Sequence, residues 1–162
     1  LLDAFLDFVR GTAEDEPEEV DPVALVRQVV EDFQRAEEPV TLVLAEGSGE
    51  MPLRPIGIRR ALENLIGNAV RYGAHAEVSV ILSEKTLRIR VEDDGPGIPP
   101  EAREQAMKPF ARLEPARNQN RGTGVGLGLA ITTDVAHAHG GTLRLGQSSR
   151  LGGLRADIVI AR

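Results

Sequence analysis

Hydrophobic positions along the chain fall into two periodicities, one helical and one extended. In residues 1–10 (LLDAFLDFVR), Leu2, Phe5, Leu6 and Val9 share one helical stripe that Gly11 can stop. Residues 12–21 (TAEDEPEEVD) break the pattern with acids and a proline, and read as a solvated connector. Asp21-Pro22 is a helix-start signal, and Val23, Val26, Val29, Val30 and Phe33 keep helical spacing to about Ala36. Residues 39–46 (PVTLVLAE) alternate as a strand, Gly47-Ser48-Gly49 turns the chain, and 51–55 form a short extended piece. Residues 56–72 return to helical spacing, with Ile58, Leu62, Leu65, Ile66 and Ala69 on one face.

Residues 76–82 and 86–92 alternate cleanly around a short polar turn and predict a hairpin. A Gly/Pro turn covers 94–100, and Pro99 opens a short helix through Ala106. Residues 111–124 are polar and irregular, which predicts a mobile loop. A helix is expected from about Gly126 to His139, then strands at 142–147 and 154–160 around a glycine turn. This order predicts a mixed sheet with helices packed on one face, a two-layer α/β sandwich.

Composition narrows the chemistry. The 162 residues match one domain, with 41% hydrophobic and 27% charged residues. Only 3% are aromatic, so the core is aliphatic and a base-stacking nucleic-acid surface is disfavoured. The net charge of −6 argues against a protein-wide phosphate-backbone footprint. The absence of cysteine excludes disulfides, thiol catalysis and Cys-zinc sites. No apolar run reaches the ~20 residues of a membrane helix. The chain begins inside a helical pattern at Leu1, and reads as a piece of a longer protein.

Four groups of residues carry candidate chemistry. Asp93-Asp94-Gly95-Pro96-Gly97-Ile98 ends a strand. A carboxylate there can accept a hydrogen bond from an exocyclic amine, and the glycines let a flat ring lie against backbone. Asn64 and Asn68 lie four apart on one helix face, where neutral amides suit a Mg²⁺ ion that keeps most of its waters. Arg71 reaches the same side, where it can meet phosphate, and Tyr72 can stack or hydrogen bond beside it. Gly122, Gly124, Gly126 and Gly128 alternate with Thr123, Val125 and Leu127 into a helix, where bare N–H groups can bind polyphosphate. Phe110 can anchor the loop, and Arg112, Arg117 and Arg121 can swing onto phosphates.

In this order the groups resemble the N, G1, F and G2 boxes of the catalytic ATP-binding domain of sensor histidine kinases. The shared stretches are NAVRYG, VEDDGPGIP, PFAR and GTGVGLGLAI, with a terminal GGLRADIVI. The resemblance covers about residues 20–162. It implies the Bergerat fold of the GHKL superfamily, shared with DNA gyrase, Hsp90 and MutL, and the cofactors ATP and Mg²⁺. It implies that Asp93 binds the adenine amine and Asn68 holds Mg²⁺ with Asn64 beside it. Arg71 and Tyr72 would face phosphate and nucleoside. Gly95, Gly97 and Ile98 would form the adenine pocket. Gly122, Thr123, Gly124, Gly126, Leu127 and Gly128 would meet the phosphates as a lid over about 111–125 closes.

The resemblance also implies an organisation. Residues 1–11 would end a dimerisation-hairpin helix, 12–21 link, and 22–162 form the catalytic domain. Gyrase-like ATPases carry a water-activating Glu four residues before the Mg²⁺ Asn. That position is Asn64 here, and Glu63 is rotated from it by about 100°. Transfer to an external nucleophile is therefore expected over hydrolysis. His75, His137 and His139 do not match an acceptor-histidine setting and read as surface or helix-end residues. The expected partners are a histidine-bearing dimerisation domain, a homodimer formed through it, and a response regulator. Nucleic acid is not expected. The fragment is expected in the cytoplasm and the full-length protein in the bacterial inner membrane. The alternatives are a degenerate module that docks a response regulator without ATP turnover, or a serine kinase acting on an anti-anti-sigma factor.

Overall fold

The computed structural model describes residues 16–108 and 128–162. Strand β1 (Glu18–Val20) precedes helix α1 (Pro22–Arg35), then β2 (Val40–Glu46), β3 (Met51–Leu53) and helix α2 (Pro55–Tyr72). The hairpin β4 (Ala76–Leu82) and β5 (Thr86–Asp93) follows, then a 3₁₀ turn (Pro100–Ala102) running into α3 (Arg103–Ala106). Helix α4 (Gly128–Ala138) leads to β6 (Thr142–Gln147) and β7 (Leu154–Ala161).

The main sheet has the order β2-β4-β5-β7-β6. Only β2 and β4 run parallel; the other neighbours are antiparallel, so the sheet is mixed as expected. Strand alternation sends Val78, Val80, Leu87, Ile89, Ile158 and Ile160 to the helix side. There they meet Val26, Val29 and Val30 of α1 and Ile58, Leu62 and Ile66 of α2 in one aliphatic core. Full burial of each such side chain contributes about 1.5–3 kcal/mol before its ordering cost. The opposite face is polar. There Arg90 makes a two-pronged bond to Asp157, at 2.7 and 3.0 Å, that joins β5 to β7.

Local signals explain the element ends. Asp21 Oδ1 accepts the Ala24 N–H at 3.1 Å and caps α1. Helix α2 begins at Pro55 and buries the apolar face predicted for it. One expectation needs correcting: the acidic connector 12–21 is not solvated throughout. Within it, Glu18–Val20 pairs antiparallel with Met51–Leu53, and Val20 packs on the core. Its charge hid the strand, because a two-stranded edge ribbon can keep both glutamates in water. The predicted helix of residues 1–10 and the loop of 111–124 lie outside the described residues.

Candidate nucleotide-binding site

The site is built where the ends of β5 and α2, the start of α4 and the β6–β7 turn meet. Asp93 is the last residue of β5 and only 3% exposed. Its Oδ1 accepts the N–H of Gly95 at 2.9 Å and of Leu154 at 3.1 Å, and its carbonyl accepts the N–H of Gly153 at 3.0 Å. Donors that favour the charged form offset part of the cost of burying a carboxylate.

Two glycines permit this packing. A Cβ on Gly95 would stand 2.7 Å from the Tyr72 carbonyl oxygen, and one on Gly153 would stand 2.3 Å from Asp93 Oδ1. Gly97 has φ +73°, a conformation that L residues adopt at a cost. Ile98 is buried with Ala106 and Leu154. It also borders a cleft of about 200 Å³ lined in addition by Gly97, Arg103, Gln147 and Gly153.

Asn64 and Asn68 are half-buried on α2. The Asn64 Nδ2 is fully shielded and finds no hydrogen-bond partner among the described residues. Gly128 opens α4 directly against Asn68: a Cβ there would lie 3.2 Å from the Asn68 Nδ2. Thr132, one turn on and fully buried, donates to the Gly128 carbonyl at 3.0 Å and reaches the Ala61 carbonyl of α2 at 3.4 Å. Helix α4 is thereby set against the asparagine helix.

The structure brings Asp93, Gly95, Gly97, Ile98 and the end of α2 at Tyr72 into one neighbourhood, and Asn68 with Gly128 into another. Arg71 occupies the last turn of α2. Phe110, Arg112, Arg117, Arg121, Gly122, Thr123, Gly124, Gly126 and Leu127 lie outside the described residues.

Four contributors escaped the sequence reading. Gly153 and Leu154 supply the N–H groups that hold Asp93. Their signals were the glycine turn between the last two strands and the terminal GGLRADIVI stretch, neither of which pointed to Asp93. Ser148 shapes the turn that carries them. Asp94 falls in the Gly/Pro turn that the sequence predicts. Its Oδ1 accepts the N–H of Ala74 at 2.7 Å and of His75 at 3.1 Å, clamping the α2–β4 connection beside the site. The His75 N–H, together with that of Ala74, holds the Asp94 carboxyl below the usual carboxylate range.

A buried strand-end carboxylate cradled by glycines, beside two asparagines on a helix, defines a class of nucleotide-binding domain. The sequence model of the histidine kinase-, DNA gyrase B- and HSP90-like ATPases matches residues 54–161, and the chain belongs to this family.

Over 99 residues the chain is 48% identical to the sensor protein RstB of Escherichia coli K12, covering 60% of this chain and 22% of RstB. It is 43% identical over 113 residues to the sensor histidine kinase CpxA of the same strain, covering 68% and 24%. Among solved structures, it resembles the histidine kinase domain of the E. coli osmosensor EnvZ, with 37% identity, a TM-score of 0.68 and 91% of each chain covered. The ATP-binding domain of PrrB from Mycobacterium tuberculosis gives 28% identity and a TM-score of 0.73, covering 91% of this chain and 98% of that one. The chain spans about a quarter of the length of the curated relatives it matches.

Proposed function

We propose that this chain is the ATP-binding catalytic unit of a two-component sensor histidine kinase. The observation that carries the reading is the Asp93 carboxylate, buried and fixed by backbone donors from two directions. A carboxylate so held accepts a hydrogen bond from an exocyclic amine, which adenine offers and guanine does not present at the same position.

Asn64 and Asn68 fit a magnesium ion that retains most of its waters. Beside the ion, the shielded and unpartnered Asn64 N–H calls for an acceptor such as a phosphate oxygen. Bound there, Mg²⁺ neutralises charge on the phosphates. Arg71 adds positive charge at the helix end. Phe110, Arg112, Arg117, Arg121 and the glycines from Gly122 to Gly128, with Thr123 and Leu127, are assigned to the lid and phosphate contacts.

Glu63 is exposed and lies 3.8 Å from Arg59, away from the asparagine face. No carboxylate therefore stands at the Asn64 position to activate water, which favours donation over hydrolysis. In donation an imidazole nitrogen on a separate dimerisation domain attacks the γ-phosphorus, the bond to the β-bridging oxygen breaks, and ADP leaves. A response regulator then takes the phosphoryl group. His139 is unsuited to the acceptor role. Its Nε2 accepts the Arg54 N–H at 2.9 Å and its Nδ1 contacts the Val135 carbonyl at 2.7 Å.

No helix among the described residues is long and apolar enough to cross a membrane. Membrane attachment and homodimerisation are assigned to segments outside residues 22–162, and the catalytic unit to the cytoplasmic side. Titration with Mg²⁺-ATP tests the reading. Asp93→Asn is expected to weaken ATP binding about tenfold or more, the value of a hydrogen bond to a charged group. Unchanged affinity would exclude the adenine assignment.

A further inference from the structure

The β6–β7 turn is fastened to the back of the sheet. Ser148 is 1% exposed, and its Oγ donates to Oε2 of Glu92, 7% exposed, at 2.6 Å. The same Oγ accepts the Leu151 N–H at 3.0 Å. The Ser148 N–H donates to the Gly153 carbonyl, and its own carbonyl accepts the Gly152 N–H, both at 2.8 Å. One residue thus closes the turn and anchors it to β5. The bond to Glu92 is of the short, charge-assisted kind.

Glu92 and Asp93 are consecutive on β5, so their side chains leave opposite faces of the sheet. Behind the sheet, Glu92 holds the first residue of the turn. In front, the end of the same turn returns to Asp93 through the N–H groups of Gly153 and Leu154. The two carboxylates grip one loop from both sides.

We infer that Ser148 is a positioning residue for Asp93: its bond to Glu92 fixes the turn so that the Leu154 N–H holds the Asp93 carboxylate in its base-reading orientation. This inference rests on the ATP-binding reading above. Without the hydroxyl, Glu92 is left buried without that partner and the turn loses its internal cap. The Leu154 donor then drifts from Oδ1, and the carboxylate is held less firmly by the Gly95 N–H that remains. The loss concerns the base rather than the phosphates, because Asn64, Asn68 and Gly128 belong to α2 and α4 and make none of these bonds.

The test compares affinities for Mg²⁺-ATP and Mg²⁺-GTP, measured by calorimetry on the 162-residue chain, in the wild type, Ser148→Ala and Glu92→Met. Thermal melts verify folding. Glu92→Met removes the acceptor without stranding a charge, so it serves if Ser148→Ala does not fold. Each folded variant is expected to lose about tenfold in ATP affinity with GTP nearly unchanged, so the adenine preference collapses. A variant that keeps the wild-type ATP-to-GTP ratio, or loses both nucleotides equally, overturns the inference alone. A wild-type chain that binds neither nucleotide, or both equally, overturns the ATP-binding reading and this inference with it.

Discussion

At Gly153 a Cβ would sit 2.3 Å from Asp93 Oδ1 and 2.5 Å from the Asp93 carbonyl oxygen. Neither atom can yield, since both are engaged with backbone donors of this region. Gly153→Ala is therefore expected to destabilise the domain by about 1–3 kcal/mol, as overpacking does. It should also weaken ATP binding. Chemical denaturation and nucleotide titration check the two effects separately. The neighbouring Asp94 has the same side chain in a different role, being exposed and clamping Ala74 and His75. Its folded-state pKa lies below the ordinary value of 3.8. The clamp therefore stabilises the fold fully above that ordinary value, and its contribution disappears as pH falls through the lower folded-state value. The melting-temperature gap between wild type and Asp94→Ala should be constant near neutrality and shrink below about pH 4. A gap that widens on acidification would contradict the assignment.

Among the elements, α2 and α4 must keep a fixed relation, because one carries Asn64 and Asn68 and the other begins at Gly128. Polar contacts help to secure it besides apolar packing. Thr132 reaches the Ala61 carbonyl, and His139, just past the end of α4, accepts the N–H of Arg54 at the start of α2. His139 and His137 were alike in sequence, both polar residues near a helix end. The fold makes one a structural acceptor and leaves the other exposed. His139→Ala removes the acceptor from a helix-start N–H and should cost about 1 kcal/mol, the scale of a lost cap. His137→Ala should leave the melt unchanged. Equal effects would show that the Arg54 bond carries no weight.

Over the whole molecule, the proposed nucleotide site draws on residues from 64 to 154, so its parts come together only in the folded chain. A ligand that binds only the native state stabilises it by mass action, by about 2.7 kcal/mol at a concentration one hundred times Kd. For a domain of this size that corresponds to a melting-temperature rise of several degrees. Mg²⁺-ATP should produce it, and Asp93→Asn should abolish most of it. A melt indifferent to ATP would favour the degenerate docking module instead.

The helices and the strands of the main sheet were readable because each has a single period and a clear start or stop. Examples are Asp21-Pro22 before α1, the apolar face of α2, and the alternation of β4 and β5. The roles proposed for Asp93 and the asparagine pair also rest on local spacing. Strand β1 was not, because an edge ribbon with its glutamates in water carries no buried periodicity. The fastening of Asp93 by Gly153, Leu154 and Ser148 was equally hidden. Those residues are more than fifty positions away, and their contribution is backbone N–H groups and one hydroxyl, which every sequence contains. Periodicity and local motif determined which elements form and which side chains can do chemistry. Only the sheet order, which sets β7 beside β5, decided what holds the key carboxylate, because hydrogen bonds between distant strands leave no mark on either strand alone.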